Sequence, residues 1–159
     1  MKSAFTVIPV GSEYAAVIAV LLAASMEPPW SAAAVASYFE APGSFAFLAT
    51  TLEPGHEKIT QPLGFVLCRQ AGDSCDIAAM SVAPSVRRRG IGRALIEAAC
   101  TEAAKRGVRE VFLEVAESNL PARALYAALH FRDVAKRSGY YPSAAAGKAE
   151  DAVVMRRDL

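Results

Sequence analysis

Met80-Ser81-Val82-Ala83-Pro84 leads through Ser85-Val86 into Arg87-Arg88-Arg89-Gly90-Ile91-Gly92-Arg93, and the fold is decided there. From Ile91 onward Ala94, Leu95, Ala98 and Ala99 recur at helical spacing, and Gly107 follows as a stop. A strand therefore runs into the start of an amphipathic helix predicted over 90–106. The first turn of a helix has N–H groups without intrahelical partners, and the macrodipole makes that end positive. Gly90 and Gly92 carry no side chain, so an anion can approach the backbone, and four arginines add charge-assisted donors. The stretch suits a pyrophosphate or similar dianion. It is neither a Walker loop nor a dinucleotide fingerprint, since G-x-x-x-x-G-K-[ST] and G-x-G-x-x-G are both absent. The competing reading is a solvated charged turn whose glycines only shape the helix entry.

Working outward, Arg109–Val115 (REVFLEV) alternates as a strand, and Asn119 caps a helix with Pro121 in its first turn, running to about Leu129. Phe131–Arg137 and Asp151–Arg157 read as the last strands, with a loop, Ser138–Glu150, between them. Upstream, Phe5–Val10 (FTVIPV) is a strand that Pro9 demotes to an edge. Ser12 is placed to cap a helix over 12–25, and Ser31 a shorter one to about Phe39, with Pro28-Pro29-Trp30 between. Ser44–Thr51, Leu63–Gln70 and Cys75–Val82 follow as an antiparallel meander, with turns at Glu53-Pro54-Gly55-His56 and Ala71-Gly72-Asp73. This order of elements predicts a mixed sheet, mostly antiparallel, covered by helices in a single domain over 1–159.

Composition narrows the function. The 159 residues are 53% hydrophobic and 21% charged, enough for a core. The net charge of +1 argues against a chain that coats nucleic acid, but the charge is uneven. Residues 1–80 carry 3 Lys/Arg against 7 Asp/Glu, and residues 81–159 carry 14 against 9, so anions are expected in the second half. Cys68, Cys75 and Cys100 form neither a disulfide framework nor a zinc pattern. With two histidines besides, no metal is expected, and free thiols suit the cytoplasm. Ala15–Ser25 is apolar but too short to span a bilayer and wrongly flanked for a leader, so a buried helix is expected and no membrane.

Arg-x-x-Gly-x-Gly opening a helix after a strand resembles the acetyl-CoA pyrophosphate motif of the GNAT acetyltransferase superfamily. The likeness continues through Leu113-Glu114-Val115-Ala116-Glu117-Ser118-Asn119, Ala124-Leu125-Tyr126, Tyr140-Tyr141-Pro142 and Glu150–Met155. These last pieces are similar to the RimI-type ribosomal-protein-alanine N-acetyltransferases. Residues 80–157 resemble that group closely; residues 1–79 follow it mainly in element order, with Pro29-Trp30-Ser31 as a local echo.

The resemblance implies an α/β GNAT fold, with a sheet of about six or seven strands and about four helices. It implies acetyl-CoA as cosubstrate and the amino group of a protein N-terminus as acceptor, in particular the N-terminal alanine of a small-subunit ribosomal protein. Met80, Ser81 and Val82 would lie along the pantetheine arm; Arg87, Arg88, Arg89, Gly90, Ile91, Gly92 and Arg93 would hold the pyrophosphate, and Asn119 would contact the cofactor. Glu114 takes the general base role and Tyr126 the general acid. Trp30, Tyr140 and Tyr141 would line the acceptor channel. Each has a plainer reading: Glu114 on a solvated strand face with Glu110, Tyr126 as a packed helix aromatic, Asn119 as an N-cap only.

Three departures stand out. Leu129-His130-Phe131 replaces the family's Leu-Gly-Phe, so His130 is expected to need positive φ. Arg87 stands where RimI-type relatives often have Gln, and the loop over 143–150 is longer. Other readings are a small-amine acetyltransferase, a CoA-binding regulatory module, and an RNA-binding accessory protein, the last weakened by the lack of aromatics among the arginines. A monomer or a homodimer is compatible with the sequence.

Overall fold

The computed structural model describes residues 5–25, 29–51, 61–141 and 149–159. The expected turn at Glu53–His56, Pro28, Pro142 and most of the 143–150 loop lie outside the described residues.

Strand β1 (Phe5–Val10) is followed by one 3-10 turn (Ser12–Tyr14), α1 (Ala15–Ala23), α2 (Ala32–Glu40), β2 (Ser44–Thr51), β3 (Pro62–Ala71) and β4 (Ser74–Val82). Then come α3 (Ile91–Lys105), β5 (Glu110–Ala116), α4 (Leu120–Ala128), β6 (Arg132–Tyr141) and β7 (Glu150–Asp158). The seven strands form one sheet in the order β1-β2-β3-β4-β5-β7-β6. All neighbours are antiparallel except β4 and β5. The seven strands and four α-helices match the architecture expected from the resemblance, and β1, with Pro9, is an edge.

Two apolar layers sandwich the sheet. Ile18, Leu22 and Val35 of α1 and α2 pack on Leu48, Phe65 and Leu67. Ile91, Leu95, Ile96 and Ala99 of α3, with Tyr126 of α4, pack on Val66, Val111, Leu113, Val115 and Val153. β3 serves both layers, and six consecutive residues from Leu63 to Cys68 are buried. The apolar run at Ala15 is thus a core helix, as its length suggested.

Two local expectations are corrected. Ser12 does not cap a helix: the chain enters through the 3-10 turn, and Glu13 takes the Gly11 N–H at 3.1 Å. Ser31 does cap, accepting from the Ala34 N–H at 3.1 Å. Tyr140 and Tyr141, expected in a loop, belong to the end of β6, where Tyr141 pairs with Glu150. A bulge between Arg137 and Tyr141 carries the strand past Gly139, whose φ of +63° a glycine adopts freely.

Candidate active site

The site begins with a failure of strand pairing. β4 and β5 run parallel for only three residue pairs, Ser74–Asp76 against Glu110–Phe112. Above Phe112, β5 stays paired with β7 as far as Ala116, while β4 stays paired with β3 to Val82. The edge of β4 from Ile77 to Val82 therefore faces a gap, and its unpaired backbone groups need partners. An extended ligand with its own amides can take the place of a strand there.

β4 approaches this gap with a bulge at Ala78, where Leu67 and Cys68 of β3 pair with Ala79 and Ile77. Beyond it Met80 and Val82 pack toward α3, while Ser81 turns to α1, accepting from Ser25 Oγ at 2.8 Å and donating to the Leu21 carbonyl at 3.4 Å. Ser81 is consequently bound to the protein by its side chain, and only its backbone is left for the gap.

At the top of the gap stands the start of α3. Gly90 adopts φ +82°, and no side chain caps the helix. Arg88 is also left-handed, at φ +62°. Arg87 Nε donates to the Val82 carbonyl at 3.1 Å, tying the loop to the strand it leaves. Arg88, Arg89 and Arg93 are exposed around the helix start. Ile91 is only 2% exposed, an apolar anchor whose contribution to any ligand is its N–H. A Cβ at Gly92 would lie 3.2 Å from Leu125 Cδ2 and 3.8 Å from Met80 Cε and Val82 Cγ2. Gly92 thus allows α3 to sit close against α4 and β4, a role the sequence alone did not separate from phosphate approach. An uncapped helix start, exposed arginines and an unpaired strand edge are together the donor set that a pyrophosphate with an amide-bearing arm requires.

Glu114 and Tyr126 flank the gap from opposite faces of the sheet. Along β5, Val111, Leu113 and Val115 are buried toward α3 and α4, so Glu110, Phe112 and Glu114 project to the α1–α2 side. Arg137 of β6 pairs with Glu114 at 3.1 Å. The Tyr140 hydroxyl, raised above its ordinary value chiefly by the Glu114 charge, lies beside the same carboxylate. The Tyr140 and Tyr141 rings meet edge-on with centroids 5.0 Å apart. Burial, and then the Glu114 charge, pushes Tyr141 up to about 12.

Tyr126 is buried in the α3–α4 layer, and its hydroxyl is also pushed up to about 12, first by burial and then by Tyr141. Tyr141 is therefore within electrostatic reach of both Glu114 and Tyr126. The Tyr126 ring is 6.0 Å from Phe131, which follows His130 at φ +69°. The expectation of positive φ at His130 holds. Phe131 N–H bonds the Tyr126 carbonyl, and His130 N–H bonds that of Ala127, the double closure of a left-handed helix end. Asn119 caps α4, its Oδ1 accepting from the Ala122 N–H at 3.3 Å.

Trp30 packs against the α1–α2 apolar layer, half-buried, its ring 6.0 Å from Tyr38 of α2. Arg137 was missed by sequence reasoning. Nothing local marks it, because its partner lies two strands away in an order the sequence does not display. Among the described residues no cluster of His, Cys, Asp and Glu could hold a metal, and no helix is long and apolar enough to cross a membrane.

The chain is similar to known proteins in sequence and in fold. The Acetyltransferase (GNAT) family model matches residues 16–131. The chain belongs to the GNAT acetyltransferases. Within the family it is 38% identical over 91 residues to the [ribosomal protein bS18]-alanine N-acetyltransferase of Escherichia coli K12. The matched segment spans 57% of this chain and 60% of that relative. The crystal structure of the E. coli ribosomal-protein-S18-alanine N-acetyltransferase superposes with a TM-score of 0.84 at 28% identity, covering 98% of this chain and 94% of that one. Arabidopsis thaliana NAA60 in complex with acetyl-CoA shares the fold at TM-score 0.82 and 18% identity, with 98% of each chain covered.

Proposed function

We propose that this GNAT protein is an acetyl-CoA-dependent N-alpha-acetyltransferase acting in the cytoplasm on a protein N-terminus. In this reading the acceptor is the N-terminal alanine of a small-subunit ribosomal protein, as the name of the E. coli relative suggests. The observation that carries it is the β4–β5 gap, with a phosphate-suited helix start above it and Glu114, Tyr140 and Tyr141 on its acceptor side.

Acetyl-CoA supplies an activated thioester carbonyl, its pyrophosphate on the N–H groups at Gly90–Arg93 and the exposed arginines, its arm along Met80–Val82. Asn119, the N-cap of α4, is assigned a contact with the cofactor. An α-amino group has a pKa near 8, so at neutral pH it must lose a proton before it attacks. Glu114, half-exposed on the opposite side, accepts that proton directly or through water. The new amide forms as the carbon–sulfur bond breaks, giving the acetylated N-terminus and the free thiol.

Tyr126 serves the departing sulfur. Its hydroxyl, near 12, lies roughly 3.5 units above an ordinary thiol, so it stays protonated at neutral pH. Even outright transfer to the free thiolate would run uphill by about 5 kcal/mol, so Tyr126 acts as a hydrogen-bond donor to sulfur as its charge develops. Tyr140 and Tyr141 wall the acceptor's entry, and the acidic first half of the chain favours a cationic N-terminus. Trp30 is assigned to the far wall.

The test is continuous detection of thiol release from acetyl-CoA with short peptides differing at residue one, including an alanine-starting ribosomal peptide, beside polyamines and aminoglycosides. Turnover on peptides that falls at least a hundredfold in Glu114→Gln supports both acceptor and base. Turnover on small amines alone replaces the peptide reading.

A further inference from the structure

Glu114 and Arg137 belong to strands that are not neighbours, since β7 runs between β5 and β6. Two strand spacings, roughly 9–10 Å, separate their backbones. Glu114 is paired with Val154 and Arg137 with Ala152, so all four side chains share the face toward the acceptor side. The small side chain of Ala152 leaves that face low where the arginine crosses it, and the guanidinium Nε reaches Oε1 at 3.1 Å. Arg137 also lies over the Tyr140 ring, 5.4 Å from its centroid. Two further cations of β6 and β7 on this face are engaged elsewhere, Arg156 with Glu110 at 3.7 Å and Asp158 at 3.1 Å and Arg132 with Asp158 at 3.0 Å, and Arg137 is the one paired with Glu114.

With side chains 58% and 23% exposed, this pair contributes little to folding, because solvent screens it and a long side chain loses freedom to make it. Its effect is on orientation. A carboxylate on a half-exposed strand face rotates about its side-chain torsions, and a general base works only from hydrogen-bond reach of the proton it takes. We infer that Arg137 is a positioning residue: it reaches across β7 to hold the Glu114 carboxylate toward the acceptor amine and against Tyr140. The inference rests on the proposed role of Glu114 as base.

The experiment is a double-mutant cycle on the full chain, using Arg137→Gln, Glu114→Gln and their combination, with Arg137→Lys as the conservative variant. The assay is thiol release with the alanine-starting peptide, and urea midpoints verify that each variant is folded. The expected result is a fall in kcat of about tenfold in Arg137→Gln with KM for acetyl-CoA unchanged, and partial recovery in Arg137→Lys. The double variant should be no slower than Glu114→Gln alone. A tenfold loss repeated in the Glu114→Gln background overturns the inference and leaves the base intact, since Arg137 would then act independently of Glu114. A rise in kcat overturns it by making the pair a restraint. If Glu114→Gln matches the unsubstituted protein, the base assignment fails, and the positioning role fails with it.

Discussion

β3 and β6 are both ten-residue strands of one sheet, and they are built for different ends. β3 lies in the middle, buried from Leu63 to Cys68 and feeding both apolar layers. β6 lies at the edge, exposed along all but its last residue, its charges paired with β5, α4 and β7 through Arg137–Glu114, Arg123–Asp133 and Arg132–Asp158. The central strand holds the sheet together. The edge strand, free of packing duty, carries side chains to the face of the sheet on which Glu114 lies. Under the proposed function, stability and chemistry are divided between strands of equal length.

The sharpest test of that division is Phe65→Ala. Phe65 is fully buried, and its truncation should cost about 3–5 kcal/mol, read as a drop in the urea midpoint at unchanged slope. A small loss would mean that β3 is less central than its burial indicates. Next comes the buried tyrosine beside the gap. Tyr126 ionises near 10 when unfolded and near 12 when folded, so the unfolded chain gives up its proton first as pH rises. Stability linked to this group is therefore fully present below pH 10 and lost between pH 10 and about 12. Tyr126→Phe should abolish that alkaline decline, on the order of 2 kcal/mol, in denaturation curves recorded at pH 9 and pH 12. An unchanged decline would show that the hydroxyl is better solvated than its burial implies.

A smaller effect is expected where α4 hands the chain to β6. His130 holds φ +69°, which costs an L-residue more than glycine. His130→Gly should raise stability by about 0.5–1 kcal/mol and leave turnover unchanged; a loss would reveal a contact made by the imidazole. Smallest of all, Arg132→Ala on β6 removes an exposed pair with Asp158 at 3.0 Å and should move stability by less than about 0.5 kcal/mol. A loss comparable to that at Phe65 would break the comparison outright.

The same contrast explains what the sequence disclosed. The apolar run of β3 and the alternation of β5 announce strands because burial imposes a pattern on residue type. The helix from Ile91, its glycine entry and the Asn119 cap are legible for the same local reason. β6 is exposed on both faces, so nothing forces a period of two on it, and Tyr140 and Tyr141 read as a loop because Ser138 and Gly139 precede them. The missing cap at Ser12 has another origin: a 3-10 turn, held by Glu13 at the Gly11 N–H, precedes the helix. Glu114 and Tyr126 were reached through family likeness, and their placement on opposite faces, joined through Tyr141, needed the strand order. Arg137 needed it even more, since its meaning depends on β7 being threaded between β5 and β6.

The bulge at Ala78 carries a wider lesson. Ile77 and Ala79 are two apart, yet they enter different apolar layers, α3's and α1's. The extra residue is a phase slip in the strand's side-to-side rhythm. Below it β4 keeps time with the rest of the sheet; above it the beat is inverted, so that Met80 and Val82 turn toward α3. Taking that one residue out would leave Ala79 opposite Leu67 and every later side chain of β4 on its present face, so what the surplus residue adds is local: a bend where β4 parts from β5.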